Sequence, residues 1–163
     1  MGSRLKDEPL QHTEVWLVAD GCEELGAYGA EALGNAHAPE LKDAIVIALD
    51  IVGAGDPAFL VNDGLLRKYP VDAETLAVAR QITKDRPELR AFEHVGISYT
   101  DTAILLRNGF RAFTIDALPR DEAGAVHWHQ MSDTVDKIEL DCLERVHEFV
   151  WEILQRLDAV GKS

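Results

Sequence analysis

The chain has 163 residues, of which 47% are hydrophobic, so it is long enough for a buried core, and we predict a single domain over residues 1–163. Its 29 acidic and 16 basic residues give a formal net charge of -13 at pH 7, which argues against nucleic acid or an anionic membrane as a partner. The two cysteines are too few for a disulfide scaffold, and the lack of a long apolar run or an apolar leader predicts a cytoplasmic protein.

The first apolar run covers residues 15–19 and predicts a strand with both faces covered. A small-residue helix is expected to follow and to end near residues 34–35. Between them lie Glu23 and Glu24, at the carboxyl end of the strand, where open α/β sheets bind ligands. The two acids are therefore candidates for chemistry, with the alternative that they only favour the positive end of the helix.

A second apolar run over residues 44–52 predicts another strand, and it contains Asp50. A carboxylate inside a buried strand needs a partner, a proton or a metal. The following segment, residues 53–58, superficially matches a dinucleotide fingerprint. The short apolar run at 59–61 replaces the long helix which that fingerprint requires, so a turn over 53–57 and then a strand or a second turn fit better.

The rest of the chain continues to alternate strand-like and helix-like stretches, which predicts an α/β layered fold. The predicted elements are a helix over 72–82 capped by Asp72, a polar turn and short helix over 98–108, a strand over 110–115, a surface loop over 116–124 and a last helix over 134–157. Ile138 and Cys142 begin the core stripe of the last helix, so Cys142 is interpreted as a buried apolar residue. Cys22 has the same simplest interpretation, although it adjoins the suspected site.

Glu23, Glu24, Asp50 and His129 each lie at or near the end of a predicted strand, so the fold can bring them together. Histidine and carboxylates form a ligand set suited to zinc, and an adjacent carboxylate that does not bind metal can act as a general base. No contiguous metal motif supports this hypothesis, because HExxH and CxxC patterns are missing from the sequence.

Four segments, in order, carry a resemblance to a known family: TEVWLVADGCEELGAYGA, IVIALDIVGAG, YTDTAILLRNGFRAFTI and HWHQMSDTVDKIE. Together they resemble the zinc aminopeptidases of metallopeptidase family twenty-eight, which also includes the glutaminyl-cyclase-like enzymes. The resemblance implies a three-layer zinc-exopeptidase fold, with helices on both faces of a mixed sheet, that acts on a peptide or aminoacyl substrate.

The resemblance also implies roles for individual residues. Glu23 matches the general base, Glu24 and His129 match the ligands of one zinc, and Asp50 matches a ligand of a second zinc. Asp101 matches the acid of a Ser-Asp-His stretch whose histidine is replaced here by threonine, so it is expected to be a neighbour of the site, as is Cys22.

The sequence departs from the family pattern in its first part. The pattern has a His-x-Asp segment and a bridging aspartate upstream of the Glu-Glu pair, whereas this chain has 22 residues before Glu23. Three of the five expected ligands remain, so we expect at most one zinc, with His127 as a conceivable substitute ligand. The chain thus resembles the carboxy-terminal half or two thirds of a family member.

These observations predict a zinc-dependent hydrolase that removes amino-terminal residues from peptides. The first alternative is a non-catalytic domain that serves as an interaction or oligomerisation module, and the second is an acyltransferase like the glutaminyl cyclases. We also expect an unpaired strand edge, which would favour a homodimer through residues 15–19 unless the polar leader at 5–11 covers that edge.

Overall fold

The computed structural model of the protein describes residues 1–96, 98–120, 125 and 127–160. The helices are α1 (Gly2–Asp7), α2 (Tyr28–Ala36), α3 (Ala38–Leu41), α4 (Ala73–Asp85), α5 (Asp101–Arg107) and α6 (Leu140–Val160). The strands are β1 (Ile45–Leu49), β2 (Asp56–Leu60), β3 (Asn62–Asp63), β4 (Tyr69–Pro70), β5 (Phe92–His94) and β6 (Arg111–Leu118). Short 3-10 helices cover Pro87–Leu89 and Val135–Lys137.

Four strands form the main sheet in the order β1-β6-β2-β5, while β3 and β4 form a separate antiparallel pair. Strand β1 runs parallel to β6, β2 runs antiparallel to β6, and β5 runs parallel to β2, so the sheet is mixed. Ile115 of β6 is the central residue of this arrangement, because it lies opposite Leu49 on one side and Phe59 on the other.

The larger core lies between the sheet and helices α4 and α6. The rings of Phe59 and Phe113, from adjacent strands, stack with centroids 5.9 Å apart, and Phe149 of α6 stacks on Phe59 at 5.8 Å. All three side chains are buried, so they remove a large apolar area from water.

A smaller core lies on the opposite face of the sheet, under α2 and α5. It includes Ala30 of α2, Leu105 of α5 and Ala112 of β6. Helices therefore cover both faces of a mixed sheet, which confirms the predicted three-layer α/β fold.

Side chains of β6 alternate between these two layers, as expected for a strand. Phe113, Ile115 and Ala117 belong to the larger core, whereas Ala112 belongs to the smaller one. Thr114 and Asp116 share the face of Ala112, so this face of the central strand becomes polar toward its carboxyl end.

The predicted caps and most of the predicted elements are present. The carboxylate of Asp72 accepts a hydrogen bond from the Thr75 N–H at 2.8 Å and begins α4, as the sequence predicts. Cys142 is fully buried in the larger core, which confirms its interpretation.

The prediction of a strand over residues 15–19 is wrong. The segment has no regular secondary structure, no backbone hydrogen bond joins it to another part of the described chain, and Trp16, Leu17 and Val18 are about half exposed or more. Strand β1 pairs with β6 along one edge only, and no described segment pairs with its other edge. A strand requires such a partner, so an apolar run without one does not become a strand.

Several predicted boundaries also differ from the structure. Strand β6 continues through Asp116 to Leu118, so these residues belong to the central strand and not to a surface loop. The turn was predicted to extend to residue 57, but β2 already begins at Asp56. Strand β5 was not predicted from the sequence. The last helix begins at Leu140, which leaves Ile138 exposed outside its core stripe.

The polar leader packs against α6 and does not pair with residues 15–19. The Asp158 carboxylate accepts hydrogen bonds from the backbone N–H groups of Gln11 (2.9 Å) and His12 (2.7 Å), and Arg4 lies over the ring of Trp151.

Among the helices that the structure describes, none has the length and apolar character that crossing a bilayer requires.

Candidate functional site

A compact turn holds Glu23 and Glu24 in front of α2. The Glu23 carbonyl accepts hydrogen bonds from the N–H groups of Gly26 and Ala27, both at 2.9 Å, and the Gly29 N–H donates to the Gly21 carbonyl at 2.9 Å. A Cβ atom at position 29 would overlap the backbone of Gly21, so only glycine allows this close approach.

The two glutamates do not cap the helix that follows them. Ala27 is the N-cap residue, and no described side chain caps this end of α2 by a hydrogen bond. Glu23 and Glu24 lie within the preceding turn, where their side chains are free to act on other groups. Neither glutamate thus caps α2 by a hydrogen bond, and a favourable interaction of their charges with the positive end of the helix stays an alternative.

Glu24 and His129 are brought into contact, although they are far apart in sequence. The Nε2 atom of His129 lies 2.9 Å from Oε1 and 3.1 Å from Oε2 of Glu24. The Glu24 side chain is 69% exposed and that of His129 is 55% exposed, so the pair faces solvent. Trp128 stacks on the His129 ring with the centroids 4.3 Å apart, which holds the imidazole in place.

His127 makes a different contact. Its Nδ1 atom lies 2.9 Å from the hydroxyl oxygen of Ser132, and within the described chain it makes no hydrogen bond or ion pair with the acids of the site. The structure therefore gives no support to His127 as a substitute for a missing ligand.

The environment of Glu23 makes it a stronger base than an ordinary glutamate. Partial burial, followed by the negative charges of Asp50, Glu24, Asp101 and Asp63, raises its pKa from 4.5 to about 7. Such a shift brings the pKa of a carboxyl group close to neutral pH, where a general base works best.

Asp50 follows β1 and lies near the same charges. Its N–H donates to the Ile115 carbonyl at 3.1 Å, which continues the pairing of β1 with β6 by one residue. Burial raises the pKa of its carboxyl group, the Ile51 N–H opposes that rise, and Glu24 and Asp63 add to it. The predicted anomaly of an acid at the end of this strand is therefore real.

Asp101 begins α5, directly after Thr100, whose hydroxyl caps the helix. Burial raises the pKa of Asp101 to about 6, with further contributions from Asp20, Asp50 and Asp63. Its Oδ1 atom is buried and has no hydrogen-bond partner in the ranges that the structure describes. Asp101 thus lies among the acids of the site, as the sequence predicted for a neighbour.

Asp63 is a fully buried acid that the sequence reasoning missed. Its carboxylate accepts hydrogen bonds from the hydroxyl groups of Thr100 (2.7 Å), Thr102 (2.8 Å) and Ser98 (3.0 Å), and from the Gly64 N–H (2.6 Å). This network fixes a negative charge beneath the site. The signal in the sequence was weak, because Asn-Asp-Gly is typical of an ordinary turn.

Asp116 was also missed, because the sequence placed it in a surface loop. It is buried in β6, and desolvation together with Asp50 and Asp63 raises its pKa from 3.8 to about 8. A signal was present: Asp116 directly follows the predicted strand over 110–115, and the rule of acids at strand ends would have found it.

Comparison with known proteins identifies the family. The sequence profile of peptidase family M28 matches residues 2–154. The chain belongs to peptidase family M28. No curated protein matches it significantly.

Solved structures share the fold of this M28 chain. Two structures of LapA from Legionella pneumophila, one of them named as an aminopeptidase, match with TM-scores of 0.65 and 0.63 at 14% identity. The matches cover 85% and 82% of this chain, but only 39% and 36% of the LapA chains. An aminopeptidase from Aneurinibacillus sp. strain AM-1 matches with a TM-score of 0.62 at 20% identity, over 83% of this chain and 31% of its own. The M28 chain thus spans less than half the length of these structures.

Unusual backbone geometry is concentrated around the acids of the M28 chain. Six non-glycine residues in the described ranges have positive φ, and five of them flank the site: Cys22, Ala27, Ile51, His127 and His129. Side chains rarely adopt this conformation, and such residues are typical of functional sites. Cys22 is also exposed, so its interpretation as a buried apolar residue is wrong.

The structure joins two of the predicted metal ligands and leaves the third apart. Glu24 and His129 are in contact, whereas Asp50 has no hydrogen bond to either within the described chain and is affected by the charge of Glu24. Among the residues described, no group of three or more histidines, cysteines, aspartates and glutamates is close enough to hold a metal ion.

Proposed function

We propose that this M28 chain is a zinc-dependent hydrolase of the aminopeptidase type, which releases amino-terminal residues from peptides. The observation that carries the proposal is the contact between Glu24 and His129 beside Glu23, whose pKa is raised to about 7. Family membership supports the same chemistry, and the named aminopeptidases share the fold.

The side chains present suit zinc in part. Carboxylate oxygen and imidazole nitrogen are both ligands of catalytic zinc, and Glu24 and His129 bring one of each together. Both side chains are more than half exposed, so their adjustment around an ion disturbs no core contact. Catalytic zinc usually has three protein ligands, so we expect at most one ion per chain, held more weakly than by a complete set.

Each residue has a separate task in the proposed reaction. Glu24 and His129 hold the ion, which when bound supplies a Lewis acid that polarises the scissile carbonyl and makes water more acidic. Glu23 takes the proton of the attacking water and delivers it to the leaving amine, because its raised pKa suits both transfers. Asp50 and Asp101 keep that pKa raised through their negative charges.

Hydrolysis of aminoacyl p-nitroanilides, with zinc added, tests the proposal. Glu23→Gln should lower the rate by about 10²–10⁴-fold while zinc affinity stays nearly unchanged, because Glu23 handles a proton and does not bind the metal. Glu24→Gln should lose both activity and zinc. Glu144→Gln, on the exposed side of α6, is the matched control and should change neither. Full activity in Glu23→Gln would show that the general base is another residue.

A second candidate function is that of a non-catalytic module that associates with a second copy of the chain. The observation that favours it is the apolar segment 15–19, in which Leu17 is 63% exposed and which has no strand partner in the described chain. The free edge of β1 adds unpaired backbone groups, and such edges commonly pair with another chain. An inactive protein that forms a stable dimer would favour this candidate.

A further inference from the structure

The buried carboxyl group of Asp116 lacks a partner in the part of the chain that is described. The residue is 5% exposed, and its Oδ1 atom makes no hydrogen bond there. The charges that act on it, those of Asp50 and Asp63, are both negative. A buried polar oxygen without a partner is costly, and in native proteins it often marks the place of a ligand or a catalytic group.

Asp116 faces the acidic site because of the alternation along β6. Thr114, two residues earlier on the same face, lies 2.5 Å from the hydroxyl of Thr102, and Thr102 donates to Asp63 at 2.8 Å. Ile115, which lies between Thr114 and Asp116 in the strand, points into the larger core on the other face. The free oxygen of Asp116 is thus aimed toward the same layer as Asp63.

The surroundings of Asp116 offer acceptors and negative charges. Asp50 follows the adjacent strand, and Asp101 has a second buried oxygen without a partner among the residues described. Among the described residues, these carboxylates do not form a group of three or more that could hold a metal ion. Buried oxygens without donors suit a cation that brings several N–H donors, which is the chemistry of an ammonium or a guanidinium group.

We infer that Asp116 selects substrates whose amino-terminal residue has a cationic side chain, so that lysine and arginine are preferred. This inference rests on the proposed aminopeptidase function. Glu24 is largely exposed whereas Asp116 is buried, so a bond that reacts beside Glu23 lies nearer the surface than Asp116. In the inferred complex, a long side chain extends inward past the partly buried Asp50, and its terminal nitrogen donates to Oδ1 of Asp116.

Calorimetric titration with L-lysinamide and L-norleucinamide tests the inference without any need for turnover. Both ligands have the same α-ammonium and amide groups, and they differ in the terminal ammonium of the side chain. Lysinamide should bind at least about tenfold more tightly, as expected for a charge-assisted hydrogen bond. Asp116→Asn should abolish that difference and leave the norleucinamide affinity unchanged, while Asp43→Asn, at an exposed site, should keep it.

Equal affinities for the two ligands in the wild-type protein would overturn the inference, whatever the variants do. A lysinamide preference that survives in Asp116→Asn would overturn it as well, because another acid would then bind the side chain. Calcium binding that Asp116→Asn abolishes, without any lysinamide preference, would show that the occupant is an inorganic ion and would also overturn it.

Hydrolysis assays separate this inference from the proposed function. Cleavage of lysyl and leucyl p-nitroanilides with equal kcat/KM would support the hydrolase and overturn the role of Asp116. A lysinamide preference that depends on Asp116, in a protein that cleaves neither compound, would support the cation site and refute the proposed hydrolysis.

Discussion

Asparagine in place of Asp116 is expected to change how the stability of the protein depends on pH. The carboxyl group is 5% exposed, and burial, Asp50 and Asp63 raise its pKa from 3.8 to about 8. At a pH between these two pKa values, the Asp116 carboxyl group has lost its proton in the unfolded chain but keeps it in the folded chain. The free energy of unfolding contributed by this group therefore falls as pH rises through that window. Asparagine has the same shape and no proton to release.

The magnitude follows from linkage. Each pH unit within the window changes the free energy of unfolding by about 1.4 kcal/mol for one proton, so the interval from pH 5 to pH 7.5 gives an upper bound of about 3.4 kcal/mol. Water that reaches buried groups usually lowers such values, and about 2 kcal/mol is a realistic expectation. In a chain of this length, about 2 kcal/mol corresponds to roughly 4–8 °C in melting temperature. The melting temperature of the variant minus that of the wild type should therefore be larger by this amount at pH 7.5 than at pH 5.

Urea unfolding at pH 5, 6, 7 and 7.5, followed by circular dichroism, measures the difference between Asp116→Asn and the wild-type protein. That difference should grow in favour of the variant as pH rises, whatever its value at pH 5. Asp43→Asn removes an exposed carboxylate and should stay within about 0.5 kcal/mol of wild type at each pH. A difference between Asp116→Asn and wild type that is the same at pH 5 and pH 7.5 would refute the reasoning.

Three further predictions concern the turn, the metal and association. Gly29→Ala should destabilise the protein by about 1–3 kcal/mol in urea and weaken zinc binding, because its Cβ overlaps the Gly21 backbone; an unchanged variant would contradict this reading of the turn. Calorimetric titration should find at most one zinc per chain, lost in Glu24→Gln, whereas two tight sites would show that other residues complete the centre. Sedimentation equilibrium should show the 18.0 kDa chain dimerising through residues 15–19, more strongly at moderate salt because the chain is acidic, and Leu17→Lys should prevent it. A monomer in both low and moderate salt would exclude the dimer.

Local features of the fold were predictable because they depend on neighbours along the chain. The apolar β-branched run at Ile45–Leu49 becomes β1, and the side chain of Asp72 caps α4. The same logic failed for residues 15–19, whose pattern is that of a strand. Pairing is a property of two segments, and no segment of the described chain pairs with this one.

The candidate site was predictable where an acid ends a strand or precedes a helix. Glu23, Glu24, Asp50 and His129 were found in this way, and the resemblance to the family then implied a role for each. Asp116 was placed wrongly because an acid within an apolar run resembles the end of a strand, whereas β6 continues to Leu118. Only the pairing of β6 with β2 decides that its last residues are buried.

The sequence by itself therefore determined the α/β layering, the helix caps and the acidic character of the site. Tertiary structure decided which of the acids meet. The contact between Glu24 and His129 joins residues 105 positions apart, and the buried carboxylate of Asp63 is held by three hydroxyl groups from another segment. Such contacts depend on strand order, on register and on the path of the loops, and none of these can be read from the composition or spacing of one segment, because each is set by packing against the rest of the chain.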